Sequence, residues 1–354
     1  MTSQELTDRE RRVLAAVIES YVATAEPAGS HTISRRFGLG VSPATIRNTM
    51  SDLEDKGFLS HPHTSAGRVP THKAYRLYVD HLIAESMMRG ALVGGADGAR
   101  LAEEIAAGGS TIEAILRRAA QSLGVLTQEL GVAVGPRFEE ALLRRIDLVR
   151  LSSDRLLMVL TLDSGGIRTI FVEVPGEIAD DAVFEVARVL NERLAGLRLS
   201  EVRDSLSERL RGAAGAGTDE LLNIFVAGGA RLFDVASGPD ARDVVLGQAS
   251  LLADQPEFAS GERMRRLLEL TETPEELAAL FRRRASATAG TGVSITIGSE
   301  HGDPRLEPFT VVTAEYRAGG LTGVIGVIGP TRMPYEKVIS LVGHTSQLLS
   351  DLLD

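Results

Sequence analysis

The sequence predicts an α+β chain of more than one domain, and three observations carry that expectation. At 354 residues the chain is long for a single core. Roughly its first eighty residues read as short capped helices followed by a hairpin. Beyond them, two strand-rich blocks flank a stretch of helical periodicity, the pattern of an α+β domain carrying an insertion.

Composition narrows the chemistry. The chain is 44% hydrophobic and 24% charged, with few aromatics and no Trp, so its cores should be aliphatic. It has no Cys, which excludes disulfides, thiolate metal sites and thiol nucleophiles and suits a reducing cytosol. No apolar run approaches the length of a membrane span, and the charged N-terminus is not followed by the apolar segment of a signal peptide, so a cytoplasmic chain is expected. Net charge is −10. Residues 1–81 hold ten Lys and Arg against nine Asp and Glu, a net +1 that leaves −11 for the remainder, and they hold five of the seven His. A near-neutral, His-rich head on an acidic body suits contact with nucleic acid through the head alone, although ordinary surface variation gives the same numbers.

Thr7-Asp8-Arg9-Glu10 is a capping box that starts a helix over Asp8–Thr24. Val13, Leu14, Val17, Ile18 and Tyr21 form its buried stripe, and Pro27 and Gly29 end it. Ser30 caps a second short helix, His31 to Phe37, stopped by Gly38. Ser42 caps a third, with Pro43 at its first position. At 100° per residue, Ile46, Met50 and Leu53 share one face of this helix. Ala44, Arg47, Asn48 and Ser51 lie opposite, with Thr45 at the edge.

That outer face is small near its N-terminus, so the helix can approach a groove closely. Asn48 can pair bidentately with adenine, and Arg47 can reach guanine or a phosphate. The plain alternative is a solvated face on an ordinary helical hairpin. The following segment favours the first reading. After Gly57, two extended pieces, Phe58–His61 and Gly67–Pro70, flank the polar loop Pro62–Ala66, and a helix capped by Thr71 follows with Tyr75, Tyr78, Val79 and Leu82 inward. Helix–helix–helix–hairpin is the winged helix-turn-helix pattern. Candidate base-reading residues are Ala44, Thr45, Arg47, Asn48 and Ser51. Candidate phosphate or minor-groove residues are Ser42, His61, His63, Thr64, Ser65, Arg68 and Lys73. His61, His63 and His72 do not match a metal-ligand set, since Pro62 interrupts H-x-H and no Cys is present, so no metal is expected.

Long strings in this head carry a resemblance. E-P-A-G-S, S-P-A-T-I-R-N, P-H-T-S-A-G-R-V-P-T and Y-R-L-Y-V-D, between Glu26 and Asp80, resemble the HrcA family of bacterial heat-inducible transcription repressors. L-A-D-Q-P-E-F, Leu252 to Phe258, and I-G-P-T-R-M-P-Y-E-K-V-I-S-L-V, Ile328 to Val342, are similar to two further blocks of that family, in the same order.

The Gly/Ala-rich stretch 86–109 reads as a flexible linker, partly helical around Leu101–Ala106, that closes a head of residues 1–85. A helix begins at Ser110 or Thr111. Strands follow at Gly131–Val134, Leu142–Leu151, Arg155–Leu162 and Ile167–Val174, with Ser164-Gly165-Gly166 as a hairpin turn. Strands resume at Val293–Ile297, Phe309–Tyr316 and Leu321–Gly329, and a helix over Tyr335–Leu352 ends the chain. Helical periodicity fills roughly 177–280, at Ala182–Leu194, Leu221–Leu232, Met264–Leu270 and Pro274–Phe281. The expected division is therefore a discontinuous α+β domain, 110–176 with 281–354, and an insert, 177–280. The resemblance implies that the first is the family's GAF-like domain and the second its dimerising domain.

No catalytic pattern is present: no G-x-S-x-G, P-loop or H-E-x-x-H, so no enzyme and no cofactor are expected. The glycines at period three, Gly323, Gly326 and Gly329, lie in a strand and suggest close sheet packing, not a phosphate cradle. Asp163 and Glu173 read as surface carboxylates, and Arg282-Arg283-Arg284 as a helix-end basic run that complements the dipole. The periodicity of the insert fits a monomeric helical decoration as well as a dimerising unit, and the resemblance with the small size of one head favours a homodimer on inverted-repeat double-stranded DNA. The resemblance implies the CIRCE operator of chaperonin and DnaK operons, and the GroE chaperonin as a modulator that heat-unfolded clients draw away. A second reading is a ligand-gated regulator that senses a metabolite in the GAF-like domain.

Overall fold

A computed structural model describes residues 6–62, 67–89, 95–107, 111–163, 166–174, 179–211, 221–227, 244–259, 261–285 and 292–353. Helix α1 (Asp8–Thr24) opens on the complete capping box, with Glu10 N–H donating to the Thr7 hydroxyl at 3.3 Å and Thr7 N–H donating to the Glu10 carboxylate at 2.8 Å. It stops at Ala25, which takes a left-handed φ of 58° just ahead of Pro27. Helix α2 (Ser30–Phe37) starts one residue before its expected position. Gly29, not Ser30, is the cap residue, and it offers no side-chain bond. Helix α3 (Pro43–Asp55) begins as its sequence indicates, Ser42 Oγ accepting from Thr45 N–H at 3.2 Å. Strands β1 (Leu59–Ser60) and β2 (Val69–Pro70) pair antiparallel, and α4 (His72–Arg89) follows. The ribbon is shorter than expected because Arg68, next in line after Val69, pairs with Ala28 instead of the facing strand.

These helices share one apolar core, in which Val13, Val17, Ile33, Ile46, Leu53, Tyr75 and Val79 are all at most 2% exposed. Each such side chain contributes about 1.5–3 kcal/mol. One ion pair closes it: Lys56 Nζ, at the end of α3, lies 2.7 Å from Glu10 Oε1, and Glu10 is 5% exposed. The ammonium and the capping N–H together hold the Glu10 carboxyl down to about 2.

The described residues of the stretch expected to be a linker are almost all helical, beyond the helix expected around Leu101–Ala106. Helix α4 runs into this stretch, and α5 (Gly95–Ala106) buries Leu101 and Ile105 completely against its neighbours α6 (Ile112–Thr127) and the last helix, α13 (Tyr335–Leu353). Its Ala and Gly content had suggested flexibility, but the apolar pair at i, i+4 gives one face something to bury.

Strand β3 (Leu130–Val134) is followed by β4 (Leu143–Ser152), β5 (Arg155–Leu162) and β6 (Ile167–Glu173), then α7 (Asp180–Leu194), α8 (Leu199–Leu210) and the helical residues 221–227, α9. Next come β7 (Val244–Leu246), the short α10 (Ser250–Ala253), α11 (Gly261–Thr271), α12 (Pro274–Ala285), β8 (Ser294–Ile297), β9 (Phe309–Ala318) and β10 (Leu321–Pro330). Ser164 and Gly165 of the expected hairpin turn lie outside the described residues, but β5 and β6 do pair antiparallel.

The strands divide differently from the sequence expectation. A five-stranded antiparallel sheet has the order β7-β3-β10-β9-β8, and β4-β5-β6 form a separate three-stranded sheet. The expected insert, 177–280, therefore does not coincide with either sheet. Helices α7, α8 and α9 cover one face of the small sheet through Val186, Leu190, Val202, Leu206 and Phe225. Strand β7 and helices α11 and α12 belong with the large sheet. That sheet is covered on both faces, by α6 and α13 with α5 packed over them on one side and by α11 and α12 on the other.

The period-three glycines sit on β10, at the middle of this sheet. A Cβ at Gly326 would lie 2.1 Å from the Val312 carbonyl oxygen, one at Gly323 would enter the Tyr316 ring, and one at Gly329 would enter the Glu129 carboxyl. Close packing explains all three.

Two predictions follow. Gly326→Ala forces apart backbone that cannot yield cheaply and should cost about 1–3 kcal/mol. The urea midpoint should fall with an unchanged slope. Glu10 has a folded pKa near 2 against an ordinary 4.5, so its contribution is fully present above 4.5 and is lost as pH falls toward 2. Acid titration of the melting temperature should lose part of its slope in that window in Glu10→Gln. An unchanged slope would remove the ion pair from the account of head stability.

Candidate nucleic-acid interface

Helix α3 turns its two faces to different environments. Ile46, Thr49, Met50 and Leu53 are buried, and Ala44, Arg47, Asn48 and Ser51 are exposed. Four of the five candidate base readers therefore lie along one accessible strip with the small residue at its N-terminal end. Thr45 is half-buried and takes part in the cap: its N–H and its Oγ1 lie 3.2 Å and 3.0 Å from Ser42 Oγ. Its carbonyl accepts the Thr49 hydroxyl at 3.0 Å, which satisfies that buried residue without a partner from another helix. Ser42 and Thr45 thus set where the helix begins, and Arg47 and Asn48 one turn on are left to point outward.

The ribbon is attached to the helices by its base. Ala28, between α1 and α2, exchanges both backbone hydrogen bonds with Arg68 at 2.9 Å. Gly67 allows this, since a Cβ there would lie 2.4 Å from the Ala28 carbonyl oxygen. The Arg68 guanidinium turns inward to Glu54 of α3 at 2.7 Å. Lys73 is also engaged: Nζ donates to the Lys56 carbonyl at 2.9 Å and stands 4.3 Å over the Phe58 ring. These two cations brace the ribbon against the end of α3 instead of extending into solvent. His61 is half-buried, and its Nε2 has no partner among the described residues. His63, Thr64 and Ser65 lie outside the described residues.

Two cations missed in the sequence reading are exposed beside this surface. Arg35 and Arg36 occupy the last turn of α2, immediately before the turn into α3. Arg36 stands 5.6 Å over the Phe37 ring. Their position at the end of the helix preceding a candidate recognition helix is the signal that could have found them. Arg12 Nη2 donates to the Leu39 carbonyl at 3.3 Å and holds the intervening turn to α1.

Elsewhere, residues that suggested chemistry have structural partners. Arg282 donates to the Gly135 carbonyl at 3.3 Å and Arg284 to that of His301 at 2.8 Å. Burial beside Arg284 pushes the His301 imidazole down to about 4, so it is neutral at pH 7. The described residues hold no group of three or more His, Cys, Asp and Glu placed to bind a metal ion, and none of their helices is long and apolar enough to cross a membrane.

Comparison with known proteins follows the same lines. The family model described as the HrcA protein C terminal domain matches residues 113–339. The heat-inducible transcription repressor HrcA of Chlorobium phaeobacteroides is 40% identical over 358 residues, covering all of both chains. That of Geobacter sulfurreducens is 37% identical, covering 99% of each. A crystal structure described only as a hypothetical protein, at 24% identity, superposes with a TM-score of 0.64 over 99% of both chains and shares the fold. The chain belongs to the HrcA family of heat-inducible transcription repressors, which regulate transcription and are not enzymes.

Proposed function

We propose that this chain binds an inverted-repeat operator of the CIRCE type as a homodimer and represses chaperonin and DnaK operons in the cytoplasm. The observation that carries the reading is the two-sided α3, with Ala44, Arg47, Asn48 and Ser51 exposed along a helix whose other face is anchored. In this reading residues 1–85 form a winged helix-turn-helix head. Helix α3 enters the major groove and Ser42, His61, His63, Thr64 and Ser65 contact the DNA backbone, while Arg68 and Lys73, tied to Glu54 and to the Lys56 carbonyl, brace the ribbon. The five-stranded sheet with its helices is the GAF-like domain, and the three-stranded sheet with α7, α8 and α9 is the inserted dimerising domain.

One head supplies too few base contacts for an operator, so two must act together. The small sheet supports pairing. Its outer face carries the cross-strand row Val149–Leu157–Phe171, with Val149 and Phe171 47% and 67% exposed, and Ile167, on the same face of the same strand, 65% exposed. An uncovered apolar sheet face of this kind suits a second copy of the chain. Apolar exposure also gives the GroE chaperonin a surface to hold when the dimer is open. Heat-unfolded clients would then compete for the chaperonin and lower the active fraction. The large sheet is filled with aliphatic side chains on both faces, which favours this reading over metabolite sensing.

A mobility-shift titration on the inverted repeat against a scrambled duplex, at fixed salt, tests the core of the proposal. Asn48→Ala should cost about 1–3 kcal/mol on the operator and relax preference at one base pair. Equal losses on operator and random DNA would remove Asn48 from base readout. Arg68→Ala should weaken both DNAs together, and because its guanidinium is tied to Glu54, it should also lower the melting temperature of the free protein. A change in salt slope with no change in melting temperature would place Arg68 on a phosphate instead.

A further inference from the structure

The head does not hang from the body by α4 alone. Two polar clusters join them. In the first, Arg76 of α4 makes a fork to Glu300, Nε to Oε1 at 2.6 Å and Nη2 to Oε2 at 2.5 Å, and Nη2 also donates to the Ile295 carbonyl at 2.7 Å. Beside it, Ser299 N–H donates to His72 Nδ1 at 3.2 Å. In the second, Arg332 makes a fork to Glu257, Nε to Oε1 at 2.5 Å and Nη2 to Oε2 at 3.0 Å, while Nη1 reaches the Val22 carbonyl near the end of α1 at 2.7 Å. The rings of Tyr75 and Tyr335 join head and body at a third place, with centroids 5.7 Å apart.

The apolar core around Val13, Val17, Ile46 and Leu53 runs on through Tyr75 and Tyr335 into that of the body, so apolar packing holds the two together and the polar clusters are left to set the orientation. The Arg332 and Glu257 side chains are 14% and 13% exposed, a burial at which desolvation offsets much of the attraction. The Arg76–Glu300 fork crosses the seam, where two parallel bonds accept one orientation, whereas the Arg332–Glu257 fork lies within the body and aims Nη1 across the seam at the Val22 carbonyl. The contacts hold α1 at one end and α4 at the other, and a body held at separated points cannot rotate about any one of them.

We infer that Arg332 with Glu257, and Arg76 with Glu300, are positioning residues that fix the orientation of the head on the body and thereby the half-site spacing the dimer accepts. The inference rests on the dimeric, inverted-repeat reading above. Two linked heads gain affinity only where their geometry lets both engage at once. A rigid mount confines that gain to one spacing, and a loosened mount spreads a smaller gain over several.

The test uses the full-length chain on three duplexes: the inverted repeat, the same repeat with its spacer lengthened by half a helical turn, and a single half-site. For the unaltered protein, affinity should fall by about a hundredfold when the spacer changes, the scale of a lost second engagement. In Arg76→Gln/Arg332→Gln that ratio should shrink to about tenfold or less, with single half-site binding unchanged as the mark of an intact head. Arg76→Lys/Arg332→Lys keeps the charges and loses the forks, and should fall between. The single Arg76→Gln, at the more exposed cluster, serves if the double variant does not fold, and should lower the ratio in part. Full spacer discrimination in variants with intact half-site binding would overturn the inference. An unaltered protein that binds paired and single half-sites equally would overturn the dimer reading itself, and the inference with it.

Discussion

The close approach of backbones around β10 is the constraint on which the body depends. This strand lies between β3 and β9, and its buried glycines at 323, 326 and 329 leave room for the Tyr316 ring, the Val312 carbonyl and the Glu129 carboxyl. Gly131 does the same on β3, where a Cβ would lie 2.0 Å from the Ala120 carbonyl of α6. Because helices press on both faces of the sheet, the strands are apolar almost throughout and not alternating, as a doubly covered sheet requires. The segment after β10, P-T-R-M-P-Y, then delivers Arg332 and Tyr335 to the edge of this core, where the head is seated.

Polar groups at that seam have a different task from the apolar core around them. Burial pushes the Glu129 carboxyl well above the usual carboxylate range, and Gln255 Nε2 donates to its Oε2 at 3.5 Å. Arg332 keeps its charge because Glu257 and a backbone carbonyl surround it. Such groups add little net stability, but they penalise every arrangement in which their partners are lost. The apolar part of the seam would tolerate sliding, and the polar part would not.

Within the head, much was legible because the governing interactions are local. The capping box of α1, the Ser42–Pro43 start of α3 and its buried seam all depend on residues within four positions of one another. Two features escaped for the opposite reason. Arg68 and Lys73 read as free donors in sequence, yet Glu54 and the Lys56 carbonyl, brought near by the hairpin, take them up. The stretch 86–109 read as a linker helical only around Leu101–Ala106, and the helix extends over Gly95–Ala106 because α6 and α13 offer Leu101 and Ile105 a place to be buried.

By itself the sequence determined most of the elements, though not α8, β7 or the full length of α5, together with the two-faced α3 and, through long specific strings, the family. Periodicity and capping act over a few residues, so they can be read along a line. Only the tertiary structure decided which strands share a sheet, because β4, β5 and β6 pair through short hairpins whereas β3 finds β7 and β10 more than a hundred residues away. A strand's apolar pattern states that it will be covered, but not by which partner. The same holds for Arg76 and Arg332, whose carboxylates lie 224 and 75 positions away and whose role exists only once head and body are brought together.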